Sequence, residues 1–114
     1  MSDQRRNPRM AADWAARYRF DAGGAWRDCQ VIDVSWDGAA VELQDLRDDE
    51  RLAGPIDLEI TSAIAADEGI PVGGVIRHGA RTAMGRVLVG LEFESLTVEQ
   101  HRRLQVLASF SADV

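Results

Sequence analysis

The stretch AWRDCQVIDVSWDGAAVELQ, residues 25–44, holds the local pattern on which the fold turns. Through AWRDCQVIDVS (25–35) apolar residues partly alternate with polar ones, the period of a strand with one covered face. Asp37-Gly38 supplies a tight-turn signal, and AAVELQ (39–44) returns as a second strand. A strand that turns and comes straight back makes an antiparallel hairpin.

Outward from this hairpin the same pattern repeats. Upstream, WAARYRF (14–20) reads as a strand and Gly23-Gly24 as the turn that follows it. Downstream, the acidic loop DLRDDERLAG (45–54) leads to PIDLEIT (55–61), where Ile56, Leu58 and Ile60 alternate cleanly. SAIAADEG (62–69) suits a loop or a helical turn, and IPVGGVIRH (70–78) and RVLVGLEFE (86–94) complete six strands. The period then changes. Thr97 with Gln100 fits a capping box, and VEQHRRLQVLASF (98–110) sets Leu104, Leu107 and Ala108 on one helical face with Val106 and Phe110 beside them. Six short strands and one packing helix predict a small antiparallel barrel or sandwich. The 114 residues suit one domain: an arginine-rich, flexible N-terminal loop (1–13), a β-region (14–94) and a C-terminal helix (97–110).

Composition narrows the function. The formal net charge of −6 argues against a nucleic-acid polymer or an anionic membrane as partner. No apolar run approaches the roughly 20 residues of a membrane-spanning helix, and none reads as a signal peptide, so the cytoplasm is the expected compartment. Cys29 stands alone and is expected in or near the core, without a disulfide or a cysteine metal site. His78 and His101 lack metal-ligand spacing and are expected at the surface. All 13 basic residues are arginine, a bias that gene base composition explains as readily as function does. Their placement says more. Arg5, Arg6, Arg9, Arg17 and Arg19 fall within the first 20 residues, against Asp3 and Asp13 only. A local positive patch on an acidic protein favours a small, compact anion.

Two short motifs offer such an anion a site. Arg5 and Arg9 form R-x-x-x-R, whose guanidinium forks can pair bidentately with phosphate oxygens or with the O6/N7 edge of guanine. Asp33, Ser35 and Gly38 form D-x-S-x-x-G. A carboxylate such as that of Asp33 can accept paired N–H bonds from guanine, Ser35 both donates and accepts, and Gly38 permits positive φ and close approach of a ligand. Asp-x-Ser and Asp-Gly are equally ordinary turn chemistry.

Taken together, R-x-x-x-R, a strand, and D-x-S-x-x-G ahead of a β-rich domain resemble the PilZ domain family, and GLEFESLTVEQHRRLQVL (90–107) resembles that family's last strand and helix. The resemblance implies a mainly β fold, a six-stranded antiparallel β-barrel of the split-barrel type with a C-terminal α-helix. It implies binding of cyclic di-GMP, a bacterial second messenger, as ligand and not as cofactor. Arg5 and Arg9 would clamp phosphates and guanine Hoogsteen edges with Arg6 assisting, while Asp33, Ser35 and Gly38 would form the barrel half of the site. Many family members carry an aromatic or basic residue on strand five; here Arg77 is the candidate, and Trp36 is an alternative stacking partner. The resemblance implies a receptor whose N-terminal loop orders on binding and signals to a downstream protein. The alternative is a protein–protein adaptor with weak or absent nucleotide binding. Catalysis is not expected: Asp33, Ser35 and His78 lack the nucleophile elbow and oxyanion-type glycines of a hydrolase.

Overall fold

The structure, a computed structural model, describes residues 10–21, 23–61, 69–94 and 96–112. Six strands, β1 (Met10–Arg19), β2 (Arg27–Val34), β3 (Gly38–Leu43), β4 (Gly54–Ile60), β5 (Ile70–Arg81) and β6 (Val87–Phe93), are followed by helix α1 (Val98–Ala112). The strands close into a barrel in the order β1-β2-β3-β6-β5-β4, with β4 returning to pair β1. Every neighbouring pair is antiparallel. Closure gives every strand two neighbours in the sheet, although β4 pairs β1 only from Ala16 to Arg19.

Alternation selects the face each strand buries. Ile56, Leu58 and Ile60 of β4 point inward, as do Cys29 and Val31 of β2, Val41 and Leu43 of β3, and Val87, Val89 and Leu91 of β6. Trp14 and Tyr18 from β1 are the largest buried side chains of the core. Burying each side chain of this size contributes about 1.5–3 kcal/mol before entropy is charged against it. The Tyr18 hydroxyl donates to the Gln44 carbonyl at 2.6 Å, which satisfies its polar end. Burial pushes the Tyr18 hydroxyl up to about 12, against the pull of the Arg27 charge, and pushes the Cys29 thiol up to about 12 as well. Cys29 is therefore an inert core residue.

At α1 both halves of the capping box form. The Thr97 N–H donates to Gln100 Oε1 at 2.8 Å, and the Gln100 N–H donates to Thr97 Oγ1 at 3.0 Å. Gln100 Nε2 also donates to the Pro71 carbonyl at 2.8 Å, fastening the first helical turn to β5. Leu104 and Leu107 enter the core, whereas Val106, expected beside them, is half exposed. The side chains of Ala108 and Phe110 and the segment 62–68 lie outside the described residues.

Two strands differ from the sequence reading. β1 begins at Met10, four residues before the expected start, because Asp13 adopts φ 60° and a bulge between Ala11 and Trp14 carries the pairing past it. Gln30 Nε2 donates to Asp13 Oδ1 across that bulge. β5 runs on to Arg81 through exposed residues that carry no alternation.

Candidate ligand-binding site

The β2–β3 turn carries the second motif, and it is built differently from the reading of Asp37-Gly38 as its centre. Trp36 and Asp37 form the loop, and Gly38 is already the first residue of β3. The Ser35 N–H donates to the Gly38 carbonyl at 2.8 Å and closes the hairpin. Gly38 does not take the positive φ that its place in the motif suggested. It is small for another reason. A Cβ there would stand 2.3 Å from the Leu91 carbonyl oxygen, so only glycine lets β3 lie this close to β6.

Asp37, which the sequence reading named only as half of a turn signal, holds the turn in two ways. Its Oδ1 accepts the Ser35 hydroxyl at 2.9 Å, and its carbonyl accepts the Phe93 N–H at 2.8 Å. Ser35 is buried, so its hydroxyl orientation is fixed by this carboxylate. The Ser-x-Asp spacing was the available signal, since short polar side chains bond locally in turns.

Asp33 lies half-buried on the outer wall. The β-ladder sets Ala11, Asp33, Ala40, Gly90 and His78 in one row across five strands. Between Asp33 and His78 the row is floored by two residues with little or no side chain. The His78 ring reaches over this floor, because a Cβ on Gly90 would come within 2.3 Å of its Nε2. The result is a shallow outer trough with a carboxylate on one side and an imidazole on the other. Arg77, the extra residue in a β5 bulge, donates from Nε to Glu92 Oε1 at 2.9 Å, and Glu92 lies opposite Gly38. Arg77 thus stands near the turn, engaged with a carboxylate.

Other wall arginines are engaged in the same way: Arg17 with Glu59, Arg19 with Asp57, Arg27 with Glu50 and Arg86 with Glu42. Arg17 and Arg19 also lie over the Trp26 ring, at 4.8 and 4.2 Å from its centroid. These arginines are matched charges of the barrel surface. Arg5, Arg6 and Arg9 lie outside the described residues.

His101, expected as a plain surface residue, is half-buried and stacks on Trp36 with ring centroids 4.2 Å apart and planes 11° from parallel. Asp33, Ser35 and His78 are not assembled as a hydrolytic triad. Three interstrand spacings, on the order of 14 Å along the sheet, separate Asp33 from His78, and the Ser35 hydroxyl is bound to Asp37. Among the described residues no group of three His, Cys, Asp or Glu is placed to hold a metal ion, and no helix is long and apolar enough to cross a membrane.

The comparisons with known proteins agree with this architecture. Among curated proteins none matches the chain. Among solved structures, the PilZ domain of YcgR from Escherichia coli with c-di-GMP superposes with a TM-score of 0.73 at 14% identity, covering 97% of this chain and 92% of that one. MotI/DgrA of Bacillus subtilis, an inhibitor of motility, superposes with a TM-score of 0.71 at 16% identity over 96% of this chain. The present chain spans about half of its length, 51%. The PilZ domain of CeSA from a cellulose-synthesizing bacterium gives a TM-score of 0.59 at 20% identity, covering 94% of this chain and 99% of that one. Likeness at this identity establishes the shared barrel. The family model described as PilZ domain matches residues 3–109, nearly the whole chain and both motifs, and the protein accordingly belongs to the PilZ domain family.

Proposed function

We propose that the protein is a cyclic di-GMP receptor that acts in the cytoplasm, orders its N-terminal segment over the barrel on binding, and signals the change to a downstream protein. The observation that carries this reading is the β1–β2 register, with Met10 opposite Val34 and Ala11 opposite Asp33. Met10 follows Arg9 directly in sequence, so the described chain begins, next to the R-x-x-x-R motif in sequence, at a residue paired beside the D-x-S-x-x-G turn.

In this reading Arg5 and Arg9 clamp phosphate oxygens and guanine Hoogsteen edges, with Arg6 assisting, and Asp33 accepts the N1–H and N2–H of a guanine. Ser35, oriented by Asp37, faces the same ligand, and Gly38 seats the turn against β6 so that these groups hold their positions. A terminal segment rich in arginine costs about 0.5–1.5 kcal/mol of entropy per immobilised side chain. Charge-assisted hydrogen bonds of about 1.5–3 kcal/mol each exceed that cost, so ligand binding can drive the ordering. The structures of YcgR with c-di-GMP are of proteins with this same barrel, which supports the choice of ligand. No catalytic step is assigned to the site.

Isothermal titration with cyclic di-GMP tests the reading. Saturable binding is expected, with much weaker binding of GMP and cyclic AMP. A flat titration from folded protein would overturn the receptor function and leave the family assignment intact.

A further inference from the structure

Trp36 is the large apolar side chain of the Asp33–Gly38 turn, and the barrel leaves it in solvent with 50% of its surface exposed. The His101 imidazole covers one face of the indole in a near-parallel stack. The exposed half of the residue is therefore the opposite face and its edges.

Everything around the ring holds it still. On one side Ser35 is closed against Gly38, and on the other the Asp37 carbonyl is bonded to β6. His101 sits in the first turn of α1, where its N–H donates to the Thr97 carbonyl at 3.0 Å and the adjacent Gln100 is bonded to β5. The indole is thus a plate fixed before any ligand arrives. A second flat ring meeting it gives up little entropy of the protein, and every nucleobase has a π-face that such a plate accepts. Trp36 stands three residues from Asp33, at most about 11 Å along an extended chain, which is within the reach of a dinucleotide.

We infer that Trp36 is a stacking platform for a purine base of the bound nucleotide, and that His101 is the positioning residue that braces it from behind. This rests on the cyclic di-GMP reading of the same turn, and it assigns a third side chain of that turn, after Asp33 and Ser35, to the ligand.

The test titrates the full chain with cyclic di-GMP and follows tryptophan emission in parallel. Trp36→Ala is expected to weaken binding about tenfold or more, and Trp36→Phe, which keeps a flat ring, by less than about threefold. His101→Ala is expected to weaken binding about threefold, with His101→Phe restoring it, because the brace needs a plane and not a charge. Saturating ligand is expected to quench wild-type emission, and the quench should disappear in Trp36→Phe, where only Trp14 and Trp26 remain.

Wild-type affinity in Trp36→Ala, or unchanged wild-type emission at saturation, would overturn the platform while the receptor reading stands. Loss of affinity in His101→Ala that His101→Phe does not rescue would remove His101 from its role. If wild-type protein binds no cyclic di-GMP, both readings fall together. Should Trp36→Ala not fold, Trp36→Leu and the emission difference between wild type and Trp36→Phe decide the question.

Discussion

Gly38 and Arg9 belong to the two halves of one family signature, yet physical reasoning gives them different work. A Cβ at Gly38 would press on the Leu91 carbonyl, a backbone atom that moves only if β6 moves. Gly38→Ala is therefore expected to destabilise the fold by about 1–3 kcal/mol, as overpacking of a tight contact does, and to disturb ligand affinity through the displaced turn. Arg9 precedes β1 in sequence and its proposed role is toward the ligand, so Arg9→Ala tests binding. It is expected to weaken cyclic di-GMP binding by at least about 1.5 kcal/mol, the value of one charge-assisted hydrogen bond, while the melting temperature barely moves. Thermal melts and titrations of both variants check this separation. An Arg9→Ala protein that binds normally would return the arginine cluster to a solvated tail. The residue scale also marks what the sequence could not convey. Asp-Gly is so common in turns that Gly38 reads as a turn residue, and only the packing of β3 on β6 reveals why a side chain is excluded there.

Among the elements, the loop between β3 and β4 is fastened to β2 by a bidentate pair, with Arg27 Nη1 and Nη2 donating to the two Glu50 oxygens at 2.7 and 2.8 Å. The Arg27 hydrogen bond, helped by the Arg47 N–H, holds the Glu50 carboxyl down to about 2 despite the opposing cost of its burial. A carboxyl depressed on folding binds fewer protons than in the unfolded chain. Its contribution to stability is therefore complete above its ordinary value of 4.5 and is lost as pH falls towards about 2. Glu50→Gln is expected to lower the melting temperature at neutral pH and to flatten its fall between pH 4.5 and 2, as melts across that range would register. Most elements were legible because alternation is strong where one face is buried: β4 is expected at 55–61 and found at Gly54–Ile60. Where burial weakens, the pattern fails. The start of β1, Met10-Ala11-Ala12-Asp13, offers no alternation, and its bulge depends on a left-handed Asp13 that no periodicity announces. The helix was legible through Thr97 and Gln100, whereas its stack on Trp36 is a tertiary fact, invisible in the spacing of either residue.

At the scale of the whole molecule, the barrel register determines which distant segments can respond together. β1 flanks the end of β2 on the side opposite β3, through Met10 with Val34 and Ala11 with Asp33. β4 lies on the other side of β1, paired with it only from Ala16 to Arg19. A ligand held by the arginine motif and the turn would therefore bridge two segments far apart in sequence and leave β4 untouched. Amide exchange reads this directly, since protection follows local opening. Cyclic di-GMP is expected to slow exchange across 5–10 and across Asp33–Gly38 together, with amides around Leu58 in β4 unchanged. The two responses should saturate at the same ligand concentration, because one bound molecule causes both. Protection confined to one segment, or two protections with different midpoints, would mean that the ligand does not join them. The proposed closure of the N-terminal segment onto the barrel would then have to be dropped.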